Sequence, residues 1–83
     1  MNSGVPSQLR WACRRGMLEL DVLLGHFLEE AYLQLSSADQ MIFMRLLDCN
    51  DQELFDWFMQ KKQPPSRELA KMVDSIRLHA QTR

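Results

Sequence analysis

Apolar residues recur every three to four positions along most of the chain, which is the spacing of one buried helix face. The clearest such stripe comprises Leu20, Leu23, Leu24, Phe27, Leu28, Ala31 and Leu35. No internal repeat or low-complexity segment interrupts the pattern. We therefore predict an all-α fold, a compact bundle of about five short helices forming a single domain over residues 1–83, with frayed ends near 1–6 and 80–83.

Residues that favour helix ends divide the first part of the pattern. A short first helix should begin at Pro6 and Ser7, with Ser7 as its cap, and stop at Gly16 in the left-handed conformation. A second helix restarts near Met17 or Leu18. Because its stripe is the longest, we expect this second helix to be the longest and to run through the middle of the bundle.

Polar residues mark the starts of three further helices. Ser37 with Gln40 fits a capping box, and Asn50 or Asp51 can cap a short fourth helix. Two prolines break the chain before Ser66, which can cap the last helix. The inward positions expected in these helices are Ile42, Phe43, Leu46, Leu47, Leu54, Phe55, Trp57, Phe58, Leu69, Met72, Val73, Ile76 and Ala80.

The composition is that of an ordinary folded domain, with 46% apolar and 25% charged residues. The longest apolar run, residues 41–44, is far below a membrane span, and the chain starts without a secretory signal pattern. We expect a cytoplasmic protein with no direct membrane insertion. Cys13 and Cys49 lie far apart and outside any CxxC pair, so buried reduced thiols are expected rather than zinc ligands.

Charge is segregated along the chain although the net value is −1. Residues 1–16 carry +3, residues 17–56 carry −8 and residues 57–83 carry +4. A nucleic-acid-binding protein normally presents a continuous basic face, so the acidic middle argues against nucleic acid as a partner. A protein partner with mixed charge fits better.

Few side chains could perform catalysis. His26 and Glu30 have the i, i+4 spacing of metal ligands, but His79, expected on a fraying end, is the one other histidine, so a solvated His26 is favoured. No glycine-rich phosphate loop is present, and the serines fall at expected helix caps. We expect a protein that is not an enzyme.

Sulfur and aromatic side chains could signal either packing or binding. Met41, Met44, Met59 and Met72 fall at or beside core positions, so packing is favoured over an adaptable binding surface. Trp57 should be packed, whereas Trp11 lies off the apolar face of its helix and should be partly open.

The segment RRGMLELD, residues 14–21, concentrates charge at the junction of the first two helices. One interpretation is structural, with a glycine stop flanked by charges that suit the two helix dipoles. The other is a binding surface, because arginine beside an aromatic at a rigid corner is typical of protein-binding anchors. The candidate partner-binding residues are Arg10, Trp11, Arg14, Arg15, Gly16, Glu19 and Asp21.

Three segments in order, WACRRGMLELD (11–21), IFMRLLD (42–48) and ELFDWFM (53–59), resemble the succinate dehydrogenase flavinylation factor family. The likeness spans nearly the whole chain and centres on an Arg-Gly-x-x-Glu motif, here Arg15, Gly16 and Glu19. It implies a bacterial assembly factor that binds the flavoprotein subunit of succinate dehydrogenase, and often of fumarate reductase, and promotes covalent attachment of FAD to a histidine of that subunit.

The resemblance also implies roles for the motif. Arg15 and Glu19 would make polar contacts with the client, and Gly16 would permit close backbone approach. FAD belongs to the client, and no cofactor is expected on the chain itself because it has no nucleotide-binding element. If the motif serves binding alone, Arg15→Ala and Glu19→Ala should leave thermal unfolding nearly unchanged.

Two other readings remain open. Some family members have been described as antitoxins, which would make the chain a protein that sequesters a toxin partner. A direct flavin transferase would instead depend on Cys13, Cys49 or His26. We expect the free protein to be a monomer.

Overall fold

Five helices and one short turn make up the part of the chain that the computed structural model describes, residues 4–82. They are α1 (Ser7–Ala12), α2 (Leu18–Ala31), a 3₁₀ turn (Tyr32–Gln34), α3 (Ser37–Leu47), α4 (Asp51–Phe58) and α5 (Arg67–Gln81). No strand occurs between residues 4 and 82, and the predicted all-α bundle is confirmed. The expected fraying at the ends stays a prediction, and residues 1–3 and 83 lie outside the described residues.

The first helix differs from its prediction at both ends. Pro6 is the N-cap and Ser7 is the first helical residue, so the prediction of Ser7 as the cap is wrong. The helix ends at Ala12, and Gly16 does not have a positive φ, so the predicted left-handed stop is wrong as well. The physical reason is that the Arg15 guanidinium donates to the Ala12 carbonyl at 2.8 Å, satisfying a helix-end acceptor in place of a glycine turn.

The second helix begins at Leu18, as predicted, and carries both Glu19 and Asp21 in its first turn. It contacts α1, α4 and α5, while α5 contacts α2, α3 and α4, so α2 shares the centre of the bundle with α5. With 14 residues it is shorter than α5, which has 15, so the prediction that it is the longest is wrong. Its buried residues are Leu20, Leu24, Phe27 and Leu28.

Side-chain caps begin the later helices, with one shift from prediction. Ser36, not Ser37, caps α3, because its Oγ accepts from the Asp39 amide at 3.1 Å. Gln40 is therefore outside a capping box, and its side chain donates to the Tyr32 carbonyl at 3.0 Å. The one-residue error does not change the buried face of α3.

The caps of α4 and α5 match their predictions. Asn50 accepts from the Glu53 amide at 2.8 Å, and Glu53 accepts from the Asn50 amide in return, a full capping box. Ser66 accepts from the Leu69 amide at 3.2 Å and caps α5. Both helices thus begin with side-chain caps that satisfy backbone amides of their first turns.

All five helices contribute to one core, with a Cα radius of gyration of 11.8 Å. Its largest fully buried side chains are Leu20, Leu24, Leu28, Phe43, Leu46, Leu54 and Ile76. Trp57 is buried as expected. Ala80 is exposed and was wrongly placed inside, because His79, one position earlier, takes the inward side of the last turn of α5.

Three of the four methionines assigned to the core are exposed, and that prediction is wrong for them. Met41, Met44 and Met59 expose 65%, 47% and 44% of their surface, whereas Met72 is buried. Met41 and Met44 lie on α3 away from its buried face, since Phe43, Leu46 and Leu47 already fill that side. The exposed thioethers belong to the surface of the molecule.

His79, expected near a fraying end of the chain, packs against α2. Its Nε2 lies 3.0 Å from Glu30 Oε1, and its ring stands edge-on to Phe27 with centroids 5.5 Å apart. This contact joins the last turn of α5 to α2. α5 continues for two residues beyond His79 and ends at Gln81.

Candidate partner-binding site

The seven candidate residues lie on or beside the junction of α1 and α2, and we call residues 10–21 the corner. They fall into three groups. Arg15, Gly16 and Asp21 take part in a network that holds the corner to the rest of the fold. Arg10 and Arg14 make surface contacts with neighbouring side chains, and Trp11 and Glu19 are exposed.

The Arg15 side chain is directed into the fold, with 12% of its surface exposed. Its Nη1 donates to the carbonyls of Ala12 and Leu47 at 2.8 and 3.1 Å, and its Nη2 donates to the carbonyl of Cys49. These acceptors lie at or just beyond the C-terminal ends of α1 and α3, where helix carbonyls lack intrahelical donors. One guanidinium thus joins two helix ends.

Asp51, the first residue of α4, completes this network. Its Oδ1 lies 2.7 Å from Arg15 Nε and its Oδ2 accepts from the Gly16 amide at 2.9 Å. The hydrogen bond from Arg15, followed by the one from Gly16, holds the pKa of the Asp51 carboxyl below its usual 3.8. The carboxylate is therefore ionised throughout the physiological range.

Gly16 is required by this close approach rather than by its backbone conformation. A Cβ placed on Gly16 would lie 3.2 Å from Asp51 Oδ2, closer than an ordinary van der Waals contact. The carboxylate cannot retreat without lengthening its bonds to Arg15 and to the Gly16 amide. Asp21 fixes the other side of the turn, because its Oδ1 accepts from the Arg15 amide.

The outer side of the corner carries cations over a cleft between α1 and α2. Arg10 pairs with Glu29 at 2.8 Å, and the Arg14 guanidinium lies 5.6 Å from the centre of the Trp11 ring, which is 72% exposed. Such a stacked, exposed pair offers a large contact area to a partner, and the two side chains lose little conformational entropy on binding because they are already ordered. The cleft has a volume of about 390 Å³ and is lined by Arg10, Cys13, Arg14, Asp21, Gly25, His26, Leu28 and Glu29.

Glu19 stands at the edge of an apolar groove that the sequence analysis missed. The groove has a volume of about 410 Å³, and its apolar lining residues are Leu18, Val22, Leu23 and Met59. Leu18 is 74% exposed, and within residues 4–82 the side chain of Glu19 makes no hydrogen bond or ion pair. The sequence feature that could have predicted this groove is the pair Leu18 and Val22, two apolar residues at i, i+4 that lie outside the buried stripe of α2.

Both cysteines are free, and their thiols stay protonated at neutral pH. Burial raises the pKa of Cys13 to about 11, and burial also raises the pKa of Cys49. Cys13 is buried as predicted, whereas Cys49 is only half-buried. A thiol with a raised pKa is a poor nucleophile at neutral pH.

Between residues 4 and 82, no cluster of three or more His, Cys, Asp or Glu side chains could hold a metal ion. The helices described are all too short or too polar to cross a membrane.

Residues 7–80 match a protein family described as the flavinator of succinate dehydrogenase. The chain belongs to this flavinator family. The match takes in all five helices, apart from Gln81 at the end of α5, and the whole corner. The family resemblance drawn from the three sequence segments is thereby confirmed.

Named relatives agree with this assignment. The FAD assembly factor SdhE of Shewanella oneidensis is 54% identical over 71 residues, which cover 86% of this chain and 87% of that protein. The FAD assembly factor SdhE of Pseudomonas aeruginosa is 51% identical over 69 residues, covering 83% and 82%. The solution structure of a UPF0350 protein has a TM-score of 0.79 and 39% identity, and covers 99% of this chain and 87% of that one.

Proposed function

We propose that this protein is an assembly factor that binds the flavoprotein subunit of succinate dehydrogenase and promotes its covalent flavinylation. The observation that carries the proposal is membership of the flavinator family, with relatives about half identical that are named FAD assembly factors. The corner supports it, because a rigid turn there holds exposed groups ready for a partner. Fumarate reductase flavoprotein is a second client to be tested in the same way.

The proposed interface consists of Trp11, Arg14, Glu19 and the apolar groove beside Glu19. Leu18, Val22 and Met59 supply apolar area, Trp11 and Arg14 supply a stacked anchor, and Glu19 supplies a carboxylate for a cation of the client. A charged group at the rim of an apolar groove favours one orientation of the partner.

The protein acts by binding, and the covalent chemistry belongs to the client and its FAD. A factor that prefers the flavinylation-competent conformation of the client by about 3 kcal/mol raises the relative population of that conformation roughly 150-fold. The firmly protonated thiols support a role without a nucleophile on this chain.

The test is covalent flavin fluorescence of the denatured client after incubation with FAD and the factor. We expect stimulation by the wild type and little by Gly16→Arg, whose side chain would displace the Asp51 carboxylate and occupy the binding face. Leu78→Arg is the matched control, because Leu78 is 60% exposed on α5, outside the proposed interface. Absence of stimulation by a folded wild type with a competent client would contradict the proposal.

Flavin binding by the factor itself is a separate question. We propose that FAD is held by the client, so that titration of FAD with the factor alone leaves flavin fluorescence unchanged. Saturable quenching would contradict this part of the proposal and leave client binding to be judged by the first experiment.

A further inference from the structure

Asp51 bonds to two consecutive residues of the corner although it lies 35 positions beyond Gly16 in the sequence. One carboxylate oxygen is 2.7 Å from Arg15 Nε and the other is 2.9 Å from the Gly16 amide nitrogen. We propose that Asp51 is a positioning residue for partner binding, and that Arg15 acts with it inside the fold rather than as a client contact. This inference rests on the proposed function.

The Arg15 donors support an internal role. Of the five N–H groups of its guanidinium, the one on Nε, two on Nη1 and one on Nη2 bond to Asp51, Ala12, Leu47 and Cys49, which leaves at most one for a partner. The side chain is also mostly buried. Replacing these bonds with client bonds would leave helix-end carbonyls without donors.

Asp51 is held in place by its own helix. α4 packs Leu54, Trp57 and Phe58 into the core, so the first residue of α4 has a fixed position relative to α2. The carboxylate therefore sets where the Gly16 amide lies, and Gly16 begins the segment that leads to Glu19. A change at Asp51 should move the corner without moving the core.

Asp51 is not needed to cap α4, which separates a positioning role from a merely structural one. Asn50 and Glu53 form the capping box of that helix, whereas the side-chain hydrogen bonds of Asp51 found within residues 4–82 run to the corner. Glu53→Ala removes half of the box and leaves the corner bonds in place. It is thus a matched control at the same helix end.

The experiment titrates each factor variant against client and FAD and follows covalent flavin fluorescence at a temperature where all variants are folded. Asp51→Asn places an amide N–H₂ where Arg15 Nε or the Gly16 amide needs an acceptor, so one bond must be lost. We expect the half-saturating concentration to rise about tenfold with an unchanged plateau, because a looser turn must be ordered on binding. Glu53→Ala should stay within about twofold of the wild type.

A double-mutant cycle tests whether Asp51 acts through the corner. If Asp51 positions Glu19, the double variant Asp51→Asn, Glu19→Gln should raise the half-saturating concentration by less than the product of the two single fold-increases. Independent, multiplying effects would overturn the proposed coupling. A half-saturating concentration for Asp51→Asn within twofold of the wild type would also overturn the proposal. A lower maximal flavin fluorescence that matches the loss of folded protein would overturn it as well.

A client-free measurement distinguishes failure of this inference from failure of the proposed function. Asp51→Ala, which removes both acceptor oxygens, should speed hydrogen exchange at the Gly16 amide about tenfold while amides inside α4 keep their wild-type rates. Unchanged Gly16 exchange would overturn the positioning role even if the factor stimulates its client. If the wild type gives no stimulation, the functional part falls with the proposed function, whereas Gly16 exchange still decides whether Asp51 holds the turn.

Discussion

Arg15 illustrates how a residue within a binding motif can serve the fold. The family resemblance implies a polar contact with the client, yet the side chain bonds to the ends of α1 and α3 and to the start of α4. Glu19, three positions beyond Gly16, is exposed at the rim of the groove. The two charged residues of the motif therefore lie in different environments.

The expectation that Arg15→Ala leaves stability unchanged is replaced by a specific loss. We predict that Arg15→Ala lowers the free energy of unfolding by about 2 to 3 kcal/mol, because it removes the guanidinium donors to Asp51 Oδ1 and to the carbonyls of Ala12 and Leu47. Urea unfolding followed by circular dichroism measures this. Arg14→Ala is the control and should change stability by less than about 0.5 kcal/mol, and an equal effect at both positions would contradict the internal role of Arg15.

The low pKa of Asp51 predicts a defined pH dependence. Because its folded pKa lies below the unfolded value of 3.8, its contribution to stability is fully present above that value and is lost as pH falls through the folded pKa. The stability difference between the wild type and Asp51→Asn should therefore be constant from neutral pH to about pH 5 and shrink below about pH 4. Urea unfolding at a series of pH values measures it, and a difference that grows on acidification would contradict the assignment.

At the scale of elements, α2 carries two apolar faces with different tasks. Leu20, Leu24 and Phe27 enter the core, whereas Leu18 and Val22 are exposed along the groove. The periodicity identifies the inner face because it continues for several turns. The two outer residues are too few to form a recognisable apolar stripe in the sequence. The groove is recognised only in the structure, where Met59, at the C-terminal end of α4, lies beside them.

Substitution on the inner face should reduce stability. Leu24 is fully buried, and Leu24→Ala is predicted to cost about 2 to 5 kcal/mol through lost apolar contacts and the cavity left behind. Thermal and urea unfolding measure the change. A loss below about 1 kcal/mol would mean that the neighbouring helices close the cavity.

Substitution on the outer face should reduce activity and leave stability intact. Leu18→Glu places a second carboxylate beside Glu19 in the groove, and we predict about a tenfold higher half-saturating concentration for client flavinylation, with the free energy of unfolding within about 0.5 kcal/mol of the wild type. Leu78→Glu, on α5, is the matched control. Equal losses for both variants would show that added charge, and not the groove, is responsible.

For the whole molecule, the fold class and order of helices could be predicted from the sequence, because amphipathic spacing and polar caps are local signals. Local signals also have limits. Gln60, two residues beyond the end of α4, has a φ of 63°, a left-handed conformation that no glycine marks in the sequence. Asp51 was predicted only as a cap, and its bonds to Arg15 and Gly16 depend on how two distant segments pack. The seven candidate residues were gathered at one corner by their nearness in sequence, whereas the network beneath them required the structure.

Burial of Cys13 turns that thiol into a chemical reporter of motion. With a pKa of about 11, roughly one Cys13 in ten thousand is a thiolate at neutral pH, and the residue is 3% exposed. A thiol-specific reagent can therefore label it only when α1 separates from α2. In a Cys49→Ser variant, the rate of Cys13 labelling therefore reports how often α1 separates from α2. A client bound at the corner would lower this labelling rate without contacting the Cys13 sulfur.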